Sequence, residues 1–336
     1  MDLASFVALA AQRDASDLHL QAGQPAQIRV RGQLERLGEQ PLSATDTAAL
    51  LDGLLSATDR TRLASQRSLD LARDLAGVRC RINVLISHGA PGFAVRLLSQ
   101  EPPTLASLNL HPDFARLLDA RNGLVLVSGP TGSGKSSTLA AFVDHLNGTR
   151  PCHIVTIEQP VEFDHAPRQA LIRQREVGRD TPSVEQALLD ALREDIDVLM
   201  VGEMREPQTM RLTLAACETG HLVLATLHSA SVAEALQRLV SAFPAEEQPS
   251  VCSQLADCLQ AVICQRLQWR EAAGVRVPEC EVLIANTAVR ANIRQGQFFK
   301  LGSLLETNAR AGMWTYDRYR AWLDARPELA SPRAPR

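Results

Sequence analysis

Long apolar runs are missing from this 336-residue sequence: the longest, such as Leu222 to Leu227, fall far short of the roughly 18 residues a membrane-spanning helix needs. The N-terminus carries Asp2 and lacks a basic segment followed by an apolar one, so no signal peptide is expected and the chain reads as cytoplasmic. Aromatic residues are scarce at 4%, which leaves few platforms for stacking single-stranded bases, and the formal net charge of -3 provides no basic field; no nucleic-acid partner is expected. The seven cysteines contain no Cys-x-x-Cys pair, which excludes a zinc clasp of the usual spacing. Cys252, Cys258 and Cys264 recur every six residues, a step that does not stay on one helical face, so buried, reduced thiols are expected.

What is present is the composition of a globular chain, 45% hydrophobic and 22% charged, long enough for two domains. Residues 1–100 read as a small α+β domain. A helix over Leu3 to Arg13 leads to the alternating Asp17-Leu-His-Leu20, a hairpin around Arg31-Gly32, a helical stretch from Thr45, and strands over Arg79 to Ile86 and Phe93 to Leu98. Glu101-Pro-Pro103 marks a linker over 101–110. Residues 111–265 alternate short aliphatic runs with amphipathic helices. Strands are expected at Leu124–Ser128, His153–Ile157, Asp197–Val201 and Leu222–Thr226, their continuous apolar character arguing for a parallel sheet covered on both faces. Helices are expected over Ser136–Asn147, stopped by Gly148, after a cap at Thr181-Pro182, and over Pro207–Thr219. From about Pro244 the pattern reads as mostly helical, giving a C-terminal helical region over 266–326 and a disordered tail over 327–336.

Gly129-Pro-Thr-Gly-Ser-Gly-Lys-Ser136 fits G-x-x-x-x-G-K-[ST] and lies between an expected strand and an expected helix. Its glycines let backbone N–H groups curl around a phosphate, Lys135 reaches the β- and γ-phosphates, and the Ser136 hydroxyl binds Mg²⁺. The helix beginning there adds its positive end. Hydrolysis needs a carboxylate at the end of a neighbouring strand, and Asp197-Val-Leu-Met-Val-Gly-Glu203 offers Glu203 as general base. A second acidic cluster, Glu158-Gln-Pro-Val-Glu162, follows another strand and puts Glu158 or Glu162 near metal or water. His221 precedes the last core strand and His228 follows it; a histidine at a strand end can donate to a γ-phosphate and report hydrolysis, and a structural histidine is the alternative for each.

Along about Leu3 to Leu323 these residues resemble the PilT-type type IV pilus motors of the type II/IV secretion ATPase superfamily. The resemblance rests on Ala15-Ser-Asp-Leu-His-Leu20, Arg79-Cys-Arg-Ile-Asn83, Gly129 to Ser137, Thr156-Ile-Glu-Gln-Pro-Val-Glu-Phe163 and Gln174-Arg-Glu-Val177. It continues through Ala191-Leu-Arg-Glu-Asp195, Val201-Gly-Glu-Met-Arg205, Glu218-Thr-Gly-His221 and Ala225-Thr-Leu-His228. It implies a PAS-like α+β domain joined to a RecA-like P-loop ATPase domain, with nucleotide at their junction and Arg81 and Arg96 reaching phosphate. It also implies ATP and Mg²⁺ as ligands, with the loop Gly129, Pro130, Thr131, Gly132, Ser133, Gly134, Lys135, Ser136 and Ser137 around the nucleotide, Ser136 and Glu162 at the metal, and Glu203, Glu162, Glu158, His228 and His221 at catalytic positions.

The implied assembly is a homo-hexamer, peripheral to the inner membrane through a platform protein and able to work beside other pilus motors. Ala288-Val-Arg-Ala-Asn-Ile-Arg-Gln295 is similar to an element associated with retraction. Gln159 in place of an aspartate, Ile196 in place of a proline and Ser229 in place of a threonine are departures. The implied function is ATP hydrolysis powering pilus retraction and twitching motility. The alternatives are a weakly hydrolysing accessory paralogue and a related secretion or pilus-assembly ATPase.

Overall fold

The computed structural model describes residues 1–30, 32–98, 101–271, 273–326 and 328–330. The chain divides into two units: residues 1–101 with the short segment 159–164, and residues 102–158 with the described residues from 165 onward.

In the first unit, α1 (Leu3–Gln12) starts where the Asp2 carboxylate accepts from the Ser5 N–H, and buries Leu3, Phe6, Val7 and Ala10. Strands β1 (Asp17–Gln21), β2 (Pro25–Val30) and β3 (Gln33–Pro41) precede α2 (Ala44–Leu54) and α3 (Ala57–Gln66); β4 (Ser68–Leu75), β5 (Val78–Ser87) and β6 (Ala90–Leu98) follow. They pair antiparallel in the order β3-β2-β1-β6-β5-β4. Both helices open with a capping box, Ser43 with Asp46 and Ser56 with Asp59, each satisfying amides that the first turn leaves without partners. Of the expected hairpin turn, Arg31 lies outside the described residues, and Val30 pairs with Gln33 across it. Strand β4 was not expected, although Leu69 and Leu71 alternate with polar residues and enter the core. The segment 159–164 joins this unit through Arg79, whose Nη2 donates to Val161 O at 2.9 Å, and through an Arg81–Glu162 ion pair.

The second unit contains, in chain order, α4 (Phe114–Leu117), β7 (Gly123–Ser128), α5 (Lys135–Thr149), β8 (His153–Glu158), β9 (Leu171–Glu176) and α6 (Val184–Ala191). Next come β10 (Val198–Val201), α7 (Pro207–Glu218), β11 (Leu222–Leu227), α8 (Val232–Ser241) and α9 (Gln248–Cys258). It ends with β12 (Leu259–Arg270), β13 (Val275–Ile284), α10 (Thr287–Arg294), α11 (Leu301–Thr307) and α12 (Tyr316–Asp324). The sheet order is β13-β12-β7-β11-β10-β8-β9, parallel throughout except for the antiparallel β12–β13 pair. Every residue of β7 and β11 is buried, because both faces of the sheet are covered. Val125 and Val127 meet Leu139, Phe142, Val143 and Leu146 of α5 on one face, while Leu124 and Leu126 meet residues of α7, α8 and α9 on the other.

Several expectations need correction. Residues 259–284 form two long strands, not part of a helical region: β-branched Val262 and Ile263 are covered on both sides by neighbouring strands, and a turn containing Gly274 reverses the chain. The segment 328–330 of the expected disordered tail is docked, since Asn109 exchanges two 2.8 Å hydrogen bonds with the Ala330 backbone and Leu329 packs on the core; Pro327 and residues 331–336 lie outside the described residues. Within the expected linker, Leu110 is buried in the second unit's core. Gly148 does not stop α5, which runs to Thr149, and α6 is capped by Ser183. Strand β9 was not foreseen: it is an edge strand whose Arg173 and Arg175 pair with Glu194 and Asp190 outside the core.

A buried carboxylate fastens the C-terminal helix. Glu279 on β13, 2% exposed, accepts from Arg266 and Arg270 of β12 and from Arg320 of α12, each at 3.1 Å. Replacing it leaves three guanidiniums without their shared partner. Glu279→Leu is therefore expected to lower unfolding free energy by about 3 kcal/mol in urea denaturation, the lower end of the range for a broken buried pair because the arginines reach solvent; an unchanged midpoint would show the cluster to be dispensable.

Candidate active site

Parallel strands end on one side, and the phosphate loop begins there. Strand β7 hands over to Gly129 at φ 149°, where a Cβ would lie 2.2 Å from the Gln265 carbonyl oxygen of β12; no larger residue fits without moving that strand. Gly134, at φ 86°, turns the chain into α5. Gln265, 1% exposed, holds the loop from behind: its Nε2 donates to Ser133 O at 2.6 Å and its Oε1 accepts from Thr138 Oγ1 at 2.8 Å. Ser133 Oγ is buried and has no hydrogen-bond partner among the described residues. Thr131 and Ser136 are exposed at the mouth, with Pro130 and Gly132, and Ser137 sits half-buried in the first turn of α5.

Lys135 is buried, and its ammonium donates to Gly129 O at 2.8 Å and Pro130 O at 3.1 Å and lies 3.2 Å from His228 Nδ1. An ammonium has only donors, so Nδ1 must accept. The proton of the neutral ring then sits on Nε2, which donates to Glu203 Oε1 at 2.9 Å. Glu203 Oε2 in turn accepts from Arg205 at 2.8 Å. Neighbouring strands bring this row together: β11 ends at Leu227 opposite Ser128 of β7, and β10 ends one strand further on. Ser128 Oγ ties the two strand ends, donating to Ser229 O and accepting from Ser229 N, and Thr226 Oγ1 donates to Gly202 O beside Glu203.

Each charge state follows from its surroundings. Burial lowers the Lys135 ammonium below its usual range, against the opposing pull of Glu203. His228 is also lowered, by burial first and then by the Lys135 charge. For Glu203 burial works upward, but the hydrogen bond and charge of Arg205, with His228 and Lys135, outweigh it and hold the carboxyl below the ordinary range. At neutral pH the row is ammonium, neutral imidazole, carboxylate.

The other expected site residues are placed as follows. Glu158 ends β8 at the same side of the sheet, where its Oε1 accepts from Thr156 Oγ1 at 2.8 Å and Gln174 Nε2 at 3.2 Å, and Gly202 N donates to the adjacent Ile157 O. Glu162, in the first unit, is paired with Arg81 at 2.8 Å, and Arg96 with Asp17 at 3.0 Å. His221 is not brought into the row. It precedes β11, at the opposite end of that strand from His228, where its Nδ1 lies 2.9 Å from Ala216 O and 3.1 Å from Thr219 Oγ1; a residue before a parallel strand cannot reach the loop that follows its neighbour. Sequence reasoning missed Gln265, whose only signal was a polar residue closing the apolar run Ala261 to Cys264, and Arg205, which follows Glu203 by two residues.

Beside the row is a cleft of about 330 Å³, lined in part by Pro130, Thr131, His228, Ser229 and Arg238, where Arg238 Nη1 donates to His228 O at 2.6 Å. On α10, Val289 and Ile293 are buried while Arg290 donates to the Ala256 and Asp257 carbonyls at the end of α9, and Arg294 pairs with Asp257. These arginines cap a helix, satisfying carbonyls that α9 leaves open.

A glycine-framed loop between a buried parallel strand and a helix, with a strand-end carboxylate beside it, defines a P-loop nucleotide-binding α/β protein. Residues 2–297 match the family model described as "Type II/IV secretion system protein", and the chain belongs to that family. It is 42% identical over 318 residues to the type IV pilus retraction ATPase PilT of Pseudomonas aeruginosa, covering 94% of this chain and 92% of that protein. It is 40% identical to a twitching motility protein of Neisseria gonorrhoeae, over 92% of this chain and 83% of that one. The crystal structure of the pilus retraction motor PilT with bound ADP superposes with a TM-score of 0.84 at 37% identity, covering 98% of both chains. Among the described residues no helix is long and apolar enough to cross a membrane.

Imidazole nitrogen NMR tests the row directly. His228 is expected as the Nε2–H tautomer, protonating only as pH falls below 6.5, and Lys135→Met is expected to raise that pKa by removing a repelling charge. Titration above 6.5 in the unaltered protein would contradict the arrangement.

Proposed function

We propose that the protein is an ATP-hydrolysing motor, converting ATP and water to ADP and phosphate to drive pilus retraction. The observation that carries this reading is the unbroken row Lys135–His228–Glu203 at the mouth of the phosphate loop. Its likeness to retraction ATPases over almost the whole chain supports the motor assignment.

The loop amides and the positive end of α5 hold the β- and γ-phosphates, and Lys135 meets their oxygens by exchanging one of its present partners. Mg²⁺, when bound, would neutralise phosphate charge, held by the Ser136 hydroxyl together with phosphate oxygens. That fits the Ser136 hydroxyl, which stands exposed at the mouth of the loop. Glu203 orients water for in-line attack on the γ-phosphorus; as the bond to the bridging oxygen breaks, the water's proton passes to the carboxylate and on to phosphate. Its lowered pKa makes it a weak base, so orientation contributes more than proton affinity. We infer further that the active form is a homo-hexamer at the cytoplasmic face of the inner membrane, acting on a platform protein of the pilus base. Gln159, at an aspartate position of the family pattern, favours a second reading: a slow paralogue that regulates a partner motor.

In a phosphate-release assay, Glu203→Gln is expected to lower kcat by about 10²–10³-fold while ADP affinity stays within a few fold. Lys135→Ala is expected to lose both turnover and nucleotide binding. Because both groups are shifted downward, neutral imidazole and carboxylate coexist at neutral pH, and the acid-side fall of kcat should have its midpoint below pH 6.5. Turnover in the unaltered protein no higher than in Glu203→Gln would reject the motor and leave the regulator; Lys135→Ala with full turnover would reject both.

A further inference from the structure

Strand β12 runs beside β7 and continues for six residues after β7 ends, since Cys264 pairs with Ser128 and the strand extends to Arg270. Its pairing with β13 has no register shift from Ala261 to Arg270, so side chains alternate faces along this stretch. Ile263 packs with the residues that cover α5. Gln265, next on that face, bonds to Ser133 and Thr138, and Leu267, next again, lies 3.7 Å from where a Cβ on Gly134 would stand.

Trp269 is the following residue on the same face. Its position is about 13 Å along the strand from Gln265, taking about 3.3 Å per residue, a span comparable to an extended nucleoside diphosphate. The indole is 58% exposed in a chain with only three tryptophans; the other two, Trp314 and Trp322, are packed against His111 and Tyr319. A large aromatic surface held on a rigid strand beyond the phosphate loop is the arrangement a flat heteroaromatic ring stacks upon.

We propose that Trp269 is the stacking platform for the base of the bound nucleotide, so that β12 grips the ligand twice, holding the phosphate loop through Gln265 and the base through Trp269. This rests on the nucleotide-binding reading above. It makes Trp269 a binding residue for the nucleoside and gives it no part in gripping phosphate.

The two parts of the ligand can be tested apart. Calorimetric titration of the full-length protein with ADP and with inorganic tripolyphosphate separates base from phosphate binding, while light scattering follows assembly. Trp269→Ala is expected to weaken ADP about tenfold, within the range alanine substitution of base-stacking aromatics shows, and to leave tripolyphosphate affinity unchanged. Trp269→Phe should restore most of the loss, and ADP, not tripolyphosphate, should quench indole fluorescence in the unaltered protein. Equal ADP affinity in Trp269→Ala overturns the proposal while leaving the nucleotide site intact. Equal weakening of both ligands, or a fall in assembly mass accompanying it, assigns Trp269 to loop support or subunit packing and also overturns it. An unaltered protein that holds neither ligand overturns the ATPase reading and this inference together.

Discussion

Lys135 has three N–H groups, and three acceptors surround it: two carbonyls of its own loop and Nδ1 of His228. That saturation constrains everything next to it. A lysine can only donate, which sets the histidine tautomer, which sets the donor that faces Glu203. A phosphate oxygen can reach the ammonium only by displacing one of the three. Displacing His228 frees Nδ1 and loosens the hold on the carboxylate; displacing a carbonyl leaves the row intact. In the proposed reaction, events at the phosphate are thereby linked to the carboxylate through two hydrogen bonds, without any large rearrangement.

The scaffold exists to keep those three side chains in line. Glu203 and His228 follow the ends of β10 and β11, Lys135 opens α5 after the loop that follows β7, and parallel pairing brings those strand ends to one side of the sheet. Small residues and short tethers do the fine adjustment. Gly129 lets β7 pass under the Gln265 carbonyl, Gly202 leaves out a Cβ that would stand 3.1 Å from the Ile157 carbonyl oxygen, and Ser128 locks the neighbouring turn after β11. Arg205 and His228 keep Glu203 ionised despite its partial burial, which suits the proposed role of orienting water more than seizing a proton.

Much of this was legible beforehand because the determinants are local. The glycines, lysine and serine of the loop act through nearest neighbours in the chain, and the four apolar runs of the parallel core are short enough to carry an unambiguous strand signature. Glu203 and His228 were placed by the same strand-end logic. His221, read from the sequence as preceding β11, stays outside the row because the start of a parallel strand lies at the end away from the loop. Strands β12 and β13 were invisible as strands because helical periodicity in Val251 to Cys258 runs directly into an apolar stretch that a helix would also tolerate. The role of Gln265 was beyond reach for a related reason: it depends on a contact across 132 residues of chain. Arg290 and Arg294 drew notice as part of a motif, but that they close the end of α9 requires knowing which helix lies beside them.

The claim at the centre of this account is that phosphate occupancy is felt at His228. The most direct measurement is the imidazole nitrogen spectrum of His228 with a non-hydrolysable ATP analogue compared with ADP. A γ-phosphoryl group that draws Lys135 away should move the Nδ1 resonance while Nε2 remains protonated. Identical spectra in the two states, with both nucleotides shown to be bound, would contradict it.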